Sequence, residues 1–181
     1  MNRLEETLLI ARCVAGDSRS AFGKLVEANQ EGLRRFLLGL TGGNAPLADD
    51  LAQESFIKAY TAIGSFRGGS RFSTWLYSIA YREFLTDRRT AVPVSGDMAE
   101  AESTADAGAS ADSAMSASHD VNVALASLTP AERSVTVLFY LEDRPIKEIS
   151  AITGLPEGTV KVYLSRARKK MATCLQNDEM K

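Results

Sequence analysis

The densest chemistry in this sequence lies between residues 66 and 84, where Phe66, Phe72, Trp75, Tyr77, Tyr81 and Phe84 crowd together. Arg67, Arg71 and Arg82 are interleaved with them, and Arg88 and Arg89 follow. Aromatic faces stack on unpaired bases at about 1–3 kcal/mol per base while guanidinium groups hold the backbone, so this mixture suits capture of single-stranded nucleic acid. That gain is comparable to the few kcal/mol spent in extruding a base from a duplex. No nucleoside-triphosphate site is needed. A helix with Leu76, Ile79, Ala80 and Phe84 turned inward cannot bury every ring. Tyr77 and Phe84 are expected in the core, and Trp75 stands between core and surface.

A second group lies near the C-terminal end. Between Glu157 and Ala172 there are five basic residues and one acidic residue. At 100° per residue Val160, Leu164, Ala167 and Met171 form one stripe, which should face a core. Opposite them fall Val162, Ser165, Arg166 and Lys169, flanked by Thr159, Lys161 and Lys170. The helix N-terminus adds a partial positive charge that suits phosphate. This is the electrostatic footprint of a major-groove recognition helix. Arg166 and Lys161 are candidates for guanine edges, and Arg168, Lys169 and Lys170 for phosphates. A solvated basic face is the plainer reading, and the turn that precedes this helix argues against it.

Enzymatic patterns are missing. His119 is the only histidine, and there is no G-x-x-x-x-G-K-[ST] and no G-x-S-x-G. Gly68-Gly69-Ser70 lacks the strand, Lys and spacing of a phosphate loop. Cys13 and Cys174 lie far apart with no C-x-x-C, so neither a disulfide framework nor a zinc site is expected. No cofactor or metal is expected.

These groups must be positioned by helices. Asp17 is expected to cap a helix carrying Phe22, Leu25, Val26, Leu33, Phe36, Leu37 and Leu40, which ends at Gly42-Gly43. After Asn44-Ala45-Pro46, Asp49 and Asp50 are placed at a helix start, with Ala52, Phe56, Ala59, Tyr60 and Ile63 as the apolar face before Gly64. A loop over 65–74 leads to a helix from about Trp75 to Arg89. Further on, Thr129-Pro130-Ala131-Glu132 reads as a capping box with Pro at the first helical position. This cap favours helix over strand for Val135 to Leu141. Pro145 to Thr153, the turn Gly154-Leu155-Pro156 and the basic helix from Glu157 to Leu175 then make a helix-turn-helix. The fold class is all-α.

The 181 residues include 21 basic and 23 acidic side chains, for a net charge of -2. Residues 93 to 124 carry six acidic and no basic side chains, so the acidity is concentrated in the middle. From Ala91 to Asp120, Ala and Ser fill half of the 30 positions without one aromatic, too little apolar surface to fold alone. The chain therefore reads as a module at 1–90, a flexible linker at 91–122 and a second module at 123–181. A linker of this length has an r.m.s. span of roughly 30 Å, letting the modules reach separate sites on one long partner. No apolar run approaches the ~18 residues of a membrane span, and Leu8-Leu9-Ile10-Ala11 is too short for a signal-peptide core. A cytoplasmic location without membrane insertion is expected.

The run Leu128-Thr129-Pro130-Ala131-Glu132-Arg133, then Lys147-Glu148-Ile149, Gly158-Thr159-Val160-Lys161 and Leu164-Ser165-Arg166-Ala167-Arg168-Lys169-Lys170, resembles the C-terminal region of the extracytoplasmic function (ECF) group of bacterial sigma factors. The N-terminal module agrees. Asp50-Leu51-Ala52-Gln53-Glu54-Ser55-Phe56 resembles the family's second-region helix. Phe66-Arg67-Gly68-Gly69-Ser70 with Phe72-Ser73-Thr74-Trp75-Leu76-Tyr77-Ser78-Ile79-Ala80 resembles its promoter-melting segment.

The resemblance implies a dissociable, monomeric subunit that brings core RNA polymerase to promoters through the β′ clamp helices and the β flap. It implies reading of the minus-thirty-five element by Thr159, Lys161, Val162, Ser165, Arg166, Arg168, Lys169 and Lys170. It implies opening of the minus-ten element by Arg67, Ser70, Arg71, Phe72, Trp75 and Arg82, with the loop 67–74 as the base-capturing element. Asp50, Gln53 and Glu54 fall where the family docks on the clamp helices. An anti-sigma partner is also implied. The sequence departs from the family pattern at Arg82 and Thr86, where Asn and Asp are usual, at Pro145 in place of a Ser cap, and at Val162-Tyr163. The rival reading is a helix-turn-helix regulator acting as a dimer on palindromic half-sites.

Overall fold

The computed structural model describes residues 1–16, 18–91, 121 and 123–178, and among them every regular element is helical. In the first module α1 (Arg3–Gly16), α2 (Arg19–Leu40), α3 (Ala45–Ala62) and α4 (Phe72–Ala91) follow one another, with a 3-10 turn at Ile63–Ser65. Helix α1 adds to the elements expected. Only Leu9, Ile10 and Cys13 of α1 are buried while Leu4, Leu8 and Val14 stay exposed, so its apolar residues do not line one clean stripe.

Local chemistry fixes the helix starts. Ser18 caps α2 by accepting from the Ala21 N–H at 3.2 Å, and the expected cap, Asp17, lies outside the described residues. Asn44 caps α3 by accepting from the Leu47 N–H at 3.1 Å, with Pro46 in the first turn. Asp49 and Asp50 therefore sit beyond the helix start that the sequence reading assigned them. A side-chain cap followed by Pro is the stronger initiator, because it satisfies one orphan N–H and removes another. Helix α4 likewise begins at Phe72, before the expected Trp75.

In the second module α5 (Pro130–Thr136) opens with the expected capping box: Thr129 Oγ1 accepts from the Glu132 N–H, and Glu132 Oε2 accepts from the Thr129 N–H at 3.0 Å. The helix continues into a π turn over Val137–Leu141, closed by the Glu142 N–H donating to the Val137 carbonyl. Helix α6 (Ile146–Thr153) is preceded by Pro145 in extended backbone, so Pro145 is the N-cap and not the first helical residue. Gly154 adopts φ 76°, the left-handed conformation that ends a helix without a Cβ clash, and the chain turns into α7 (Glu157–Asp178). Ser150 Oγ donates to the Leu155 carbonyl and Thr153 Oγ1 accepts from the Leu155 N–H, which ties the turn from both sides.

The two modules share one apolar core. Leu25, Leu33, Phe36 and Leu37 of α2 and Leu76 of α4 are fully buried, and the cluster continues into Val135, Val137, Leu138, Ile149, Val160 and Ala167. The join runs along α2 and α4. A Cβ at Gly39 would lie 2.8 Å from both methyls of Val137, and one at Gly32 would lie 2.7 Å from the Tyr77 hydroxyl. Glycine costs about 1 kcal/mol in a helix interior, and here it lets α2 approach α4 at Gly32 and the π turn at Gly39. Arg35 donates to Glu142 through Nε at 2.7 Å and Nη2 at 3.4 Å, and the Tyr77 hydroxyl donates to the same carboxylate at 2.9 Å. Tyr77 stacks on Phe36, and the Arg144 guanidinium lies over the Tyr77 ring at 4.7 Å. The linker expected at 91–122 lies outside the described residues except for Ala91 and Val121.

Candidate nucleic-acid interface

Helix α7 divides into two faces. Val160, Leu164 and Ala167 are buried against α5 and α6, whereas Lys161, Val162, Ser165, Arg166, Arg168 and Lys169 are exposed and Thr159 is half-buried. Val162 is 47% exposed, an apolar side chain set among cations. Among the described residues none of Lys161, Arg166 and Lys169 has an ion-pair partner. Such a face offers donors to base edges, a methyl-bearing side chain for thymine and point charges for phosphate.

Lys170 departs from its assignment to phosphate. Its ammonium donates to Glu132 Oε2 at 2.8 Å, so it is already engaged by the cap of α5. Burial alone would raise the Glu132 carboxyl, but Lys170 and the Thr129 N–H and hydroxyl outweigh it and hold the group below the ordinary carboxylate value. Arg168 Nε donates to the Leu164 carbonyl of its own helix.

The aromatic segment is more buried than the sequence reading allowed. Phe72 is fully buried, with Phe22, Phe66 and Trp75 around it at ring separations of 6.3, 6.2 and 5.8 Å. As placed it cannot stack on a base, which corrects its assignment as a nucleic-acid contact. It starts α4 and so joins the ring cluster that anchors the helix. Tyr77 and Phe84 are buried, as expected, and so is Tyr81. Burial first, and then the Glu142 carboxylate, push the Tyr77 phenol well above the usual tyrosine range. Phe66 and Trp75 are half-buried and lean on each other at 5.2 Å, leaving these two with ring surface toward solvent.

The loop before α4 carries Arg67, Gly68, Gly69 and Arg71 exposed, with Ser70 half-buried and its hydroxyl donating to the Arg71 carbonyl. Arg82 is exposed, but its guanidinium folds back onto the Ser78 carbonyl and hydroxyl.

On α3, Asp50, Gln53 and Glu54 are exposed along one side. The neighbouring Asp49 is taken by Arg34, whose hydrogen bond holds the carboxyl below the ordinary value. Glu54 shares Lys58 with Glu83. The sequence reading missed Ile57, which is 50% exposed and lies at the next helical step from Asp50, Gln53 and Glu54. Its signal was present: an isoleucine off the apolar stripe, beside acidic residues. Among the described residues no group of His, Cys, Asp and Glu is arranged to hold a metal, and no helix is long and apolar enough to cross a membrane.

Two helical modules, one ending in a helix-turn-helix with a cationic outer face and the other presenting an arginine-flanked aromatic segment, have the architecture of a nucleic-acid-binding protein. Residues 25–92 match the model for sigma-70 region 2, and residues 118–171 match that for sigma-70 region 4. The chain is 33% identical over 191 residues to the ECF RNA polymerase sigma-E factor of Escherichia coli strain K12, covering 96% of each. It is 30% identical over 171 residues to the ECF RNA polymerase sigma factor SigW of Bacillus subtilis, covering 88% of this chain and 91% of SigW. The chain belongs to the ECF group of RNA polymerase sigma factors. Among solved structures, CnrH in complex with the cytosolic domain of CnrY shares the fold, with TM-score 0.71 and 23% identity over 96% of this chain and 99% of the matched one. The sigma factor RpoE in complex with the anti-sigma factor NepR from Bartonella quintana gives TM-score 0.67 and 26% identity, covering 86% and 96%.

Proposed function

We propose that this sigma factor joins core RNA polymerase through α3, reads the minus-thirty-five element with α7 and opens the minus-ten element with the loop 67–71 and the start of α4. The observation that carries the reading is the segregation on α7: Val160, Leu164 and Ala167 are locked inside while Lys161, Ser165 and Arg166 stand outside without a carboxylate partner among the described residues. Asp50, Gln53 and Glu54, with Ile57 as an apolar centre, form a mixed patch suited to basic partner side chains around a hydrophobic contact. The β′ clamp helices are the partner surface assigned to it, and the β flap is assigned to the second module. Half-buried Trp75 and Phe66 are the rings offered to displaced bases, with Arg67 and Arg71 on the backbone. The protein acts by binding, as a monomer in the cytoplasm, and without catalytic chemistry of its own.

The contact between modules covers Ser73, Thr74 and Tyr77 on α4, so access to that side of the helix follows separation of the modules. An anti-sigma partner is the assigned keeper of the closed arrangement, a reading supported by the similarity to RpoE, which is seen with NepR. Run-off transcription tests the whole. The purified chain with core polymerase is expected to initiate from an asymmetric two-element promoter, and the triple substitution of Asp50, Gln53 and Glu54 by Ala to weaken assembly. Tight binding of the chain alone to a palindrome, with no transcripts from any promoter library, would mean a dimeric regulator instead.

A further inference from the structure

Helix α4 lacks a cap of its own. Arg71 precedes its first residue, and a guanidinium has only donors to offer. The Ser70 hydroxyl is spent on the Arg71 carbonyl. The N–H of Phe72, a residue with no solvent exposure, is satisfied from a distant part of the chain: it donates to Glu6 Oε1 of α1 at 2.8 Å, across 66 positions of sequence. A carboxylate suits this place twice over, as an acceptor for an orphan N–H and as a negative charge at a helix N-terminus. Helix α1 also packs on the 3-10 turn Ile63–Ser65 that leads into the loop. It therefore braces the loop 66–71 at both ends.

The neighbouring positions show why this matters. Ser73 Oγ accepts from Arg144, and Thr74 Oγ1 donates to Glu148, so both are held by the second module. Those holds are lost when the modules part. The hold from Glu6 lies within the first module and remains.

We infer that Glu6 is a positioning residue for promoter opening: by fixing the Phe72 N–H it sets where α4 begins, and hence where Phe66, Arg67, Arg71 and Trp75 stand relative to a displaced base. The inference rests on the reading of this loop as the minus-ten contact. Trp75 is the only tryptophan in the chain, so its emission reports on the segment directly.

The test uses the full chain with Glu6→Ala, Glu6→Asp and Glu6→Gln, alone for Trp75 emission and with core polymerase for affinities. The DNA probes are a labelled single strand bearing the non-template minus-ten sequence and a minus-thirty-five duplex. Glu6→Ala and Glu6→Asp, the second of which keeps the charge but falls short of the N–H, are expected to red-shift Trp75 and to weaken single-strand binding about fivefold. Core and duplex affinities stay unchanged, and Glu6→Gln, which keeps the acceptor, recovers most of the loss. Wild-type single-strand affinity and emission in Glu6→Asp would overturn the inference, as would an equal loss on the duplex. A wild-type holoenzyme that does not bind the single strand overturns the reading of the loop itself, and the inference with it. Should Glu6→Ala fail to fold, Glu6→Asp against Glu6→Gln carries the same decision.

Discussion

At the junction of the modules the Glu142 side chain is 4% exposed and takes three hydrogen bonds, two from Arg35 and one from Tyr77. On α7, Lys161, Arg166 and Lys169 stand in solvent without an ion-pair partner among the described residues. The contrast separates charges whose partners are internal from charges whose partners are brought by another molecule. An internal pair is desolvated once, on folding, and breaking it leaves an uncompensated buried group. A cation awaiting DNA must stay hydrated until it exchanges water and counterions for phosphate or a base edge. Changes at the junction should therefore register in stability and shape, and changes on α7 in affinity.

The largest break is at Gly39. A leucine there would drive into Val137, whose methyls lie 2.8 Å from the Cβ position and whose side chain is itself fully buried. Gly39→Leu is expected to cost about 3 kcal/mol or to part the modules, an overpacking effect at the upper end of the usual range. Small-angle scattering would show the wider particle. Unchanged scattering together with an unchanged melting temperature would mean that α2 and the π turn do not meet there.

Next is the carboxylate itself. Glu142→Ala should destabilise the full chain by about 2 kcal/mol, because it strands the Tyr77 hydroxyl and removes charge-assisted bonds to Arg35. Tyr77→Phe should cost about 1 kcal/mol, and the double variant should cost less than the sum. Additive losses in chemical denaturation would show that the two groups do not act on each other. On α7, Arg166→Ala should leave stability within about 0.5 kcal/mol. It should weaken duplex binding by about 2 kcal/mol at one or two base positions, and a uniform loss across sequences would reassign Arg166 to phosphate.

The sequence disclosed the α7 face well because a recognition helix is a local object. Its stripe of Val160, Leu164 and Ala167 follows from helical period alone, and the capping box at Thr129 and Glu132 is written in four consecutive residues. The rest depends on contacts distant in sequence. Nothing near Gly39 announces Val137, and nothing near Glu142 announces Arg35, 107 positions away. Phe72 illustrates the same limit from the other side. Its type and its arginine neighbours suit base stacking, yet the pocket formed with Phe22, Phe66 and Trp75 claims the ring. Residue type told what Phe72 can do, and only packing told which partner it has.

The smallest expected effect sharpens the comparison most, because Lys169 and Lys170 are adjacent and fall on opposite sides of it. Lys170 donates to Glu132, whose side chain is 4% exposed, while Lys169 has no such partner among the described residues. Lys170→Ala should cost about 1 kcal/mol of stability, less than a fully buried pair because the ammonium itself is 44% exposed. Lys169→Ala should cost nothing measurable in stability and should lower the salt dependence of duplex binding by about one phosphate contact. The pH profile separates the two further. The folded Glu132 carboxyl lies below its ordinary value of 4.5, so its contribution is complete above that pH and is lost as pH falls through the lower folded value. Removing Lys170 takes away one of the groups that hold it down, which moves the acid limb of the stability curve to higher pH, whereas Lys169→Ala leaves that limb in place. If Lys170→Ala instead shows the wild-type acid limb and loses duplex affinity as Lys169→Ala does, Lys170 belongs with the external charges and the ion pair with Glu132 gives way whenever DNA is bound.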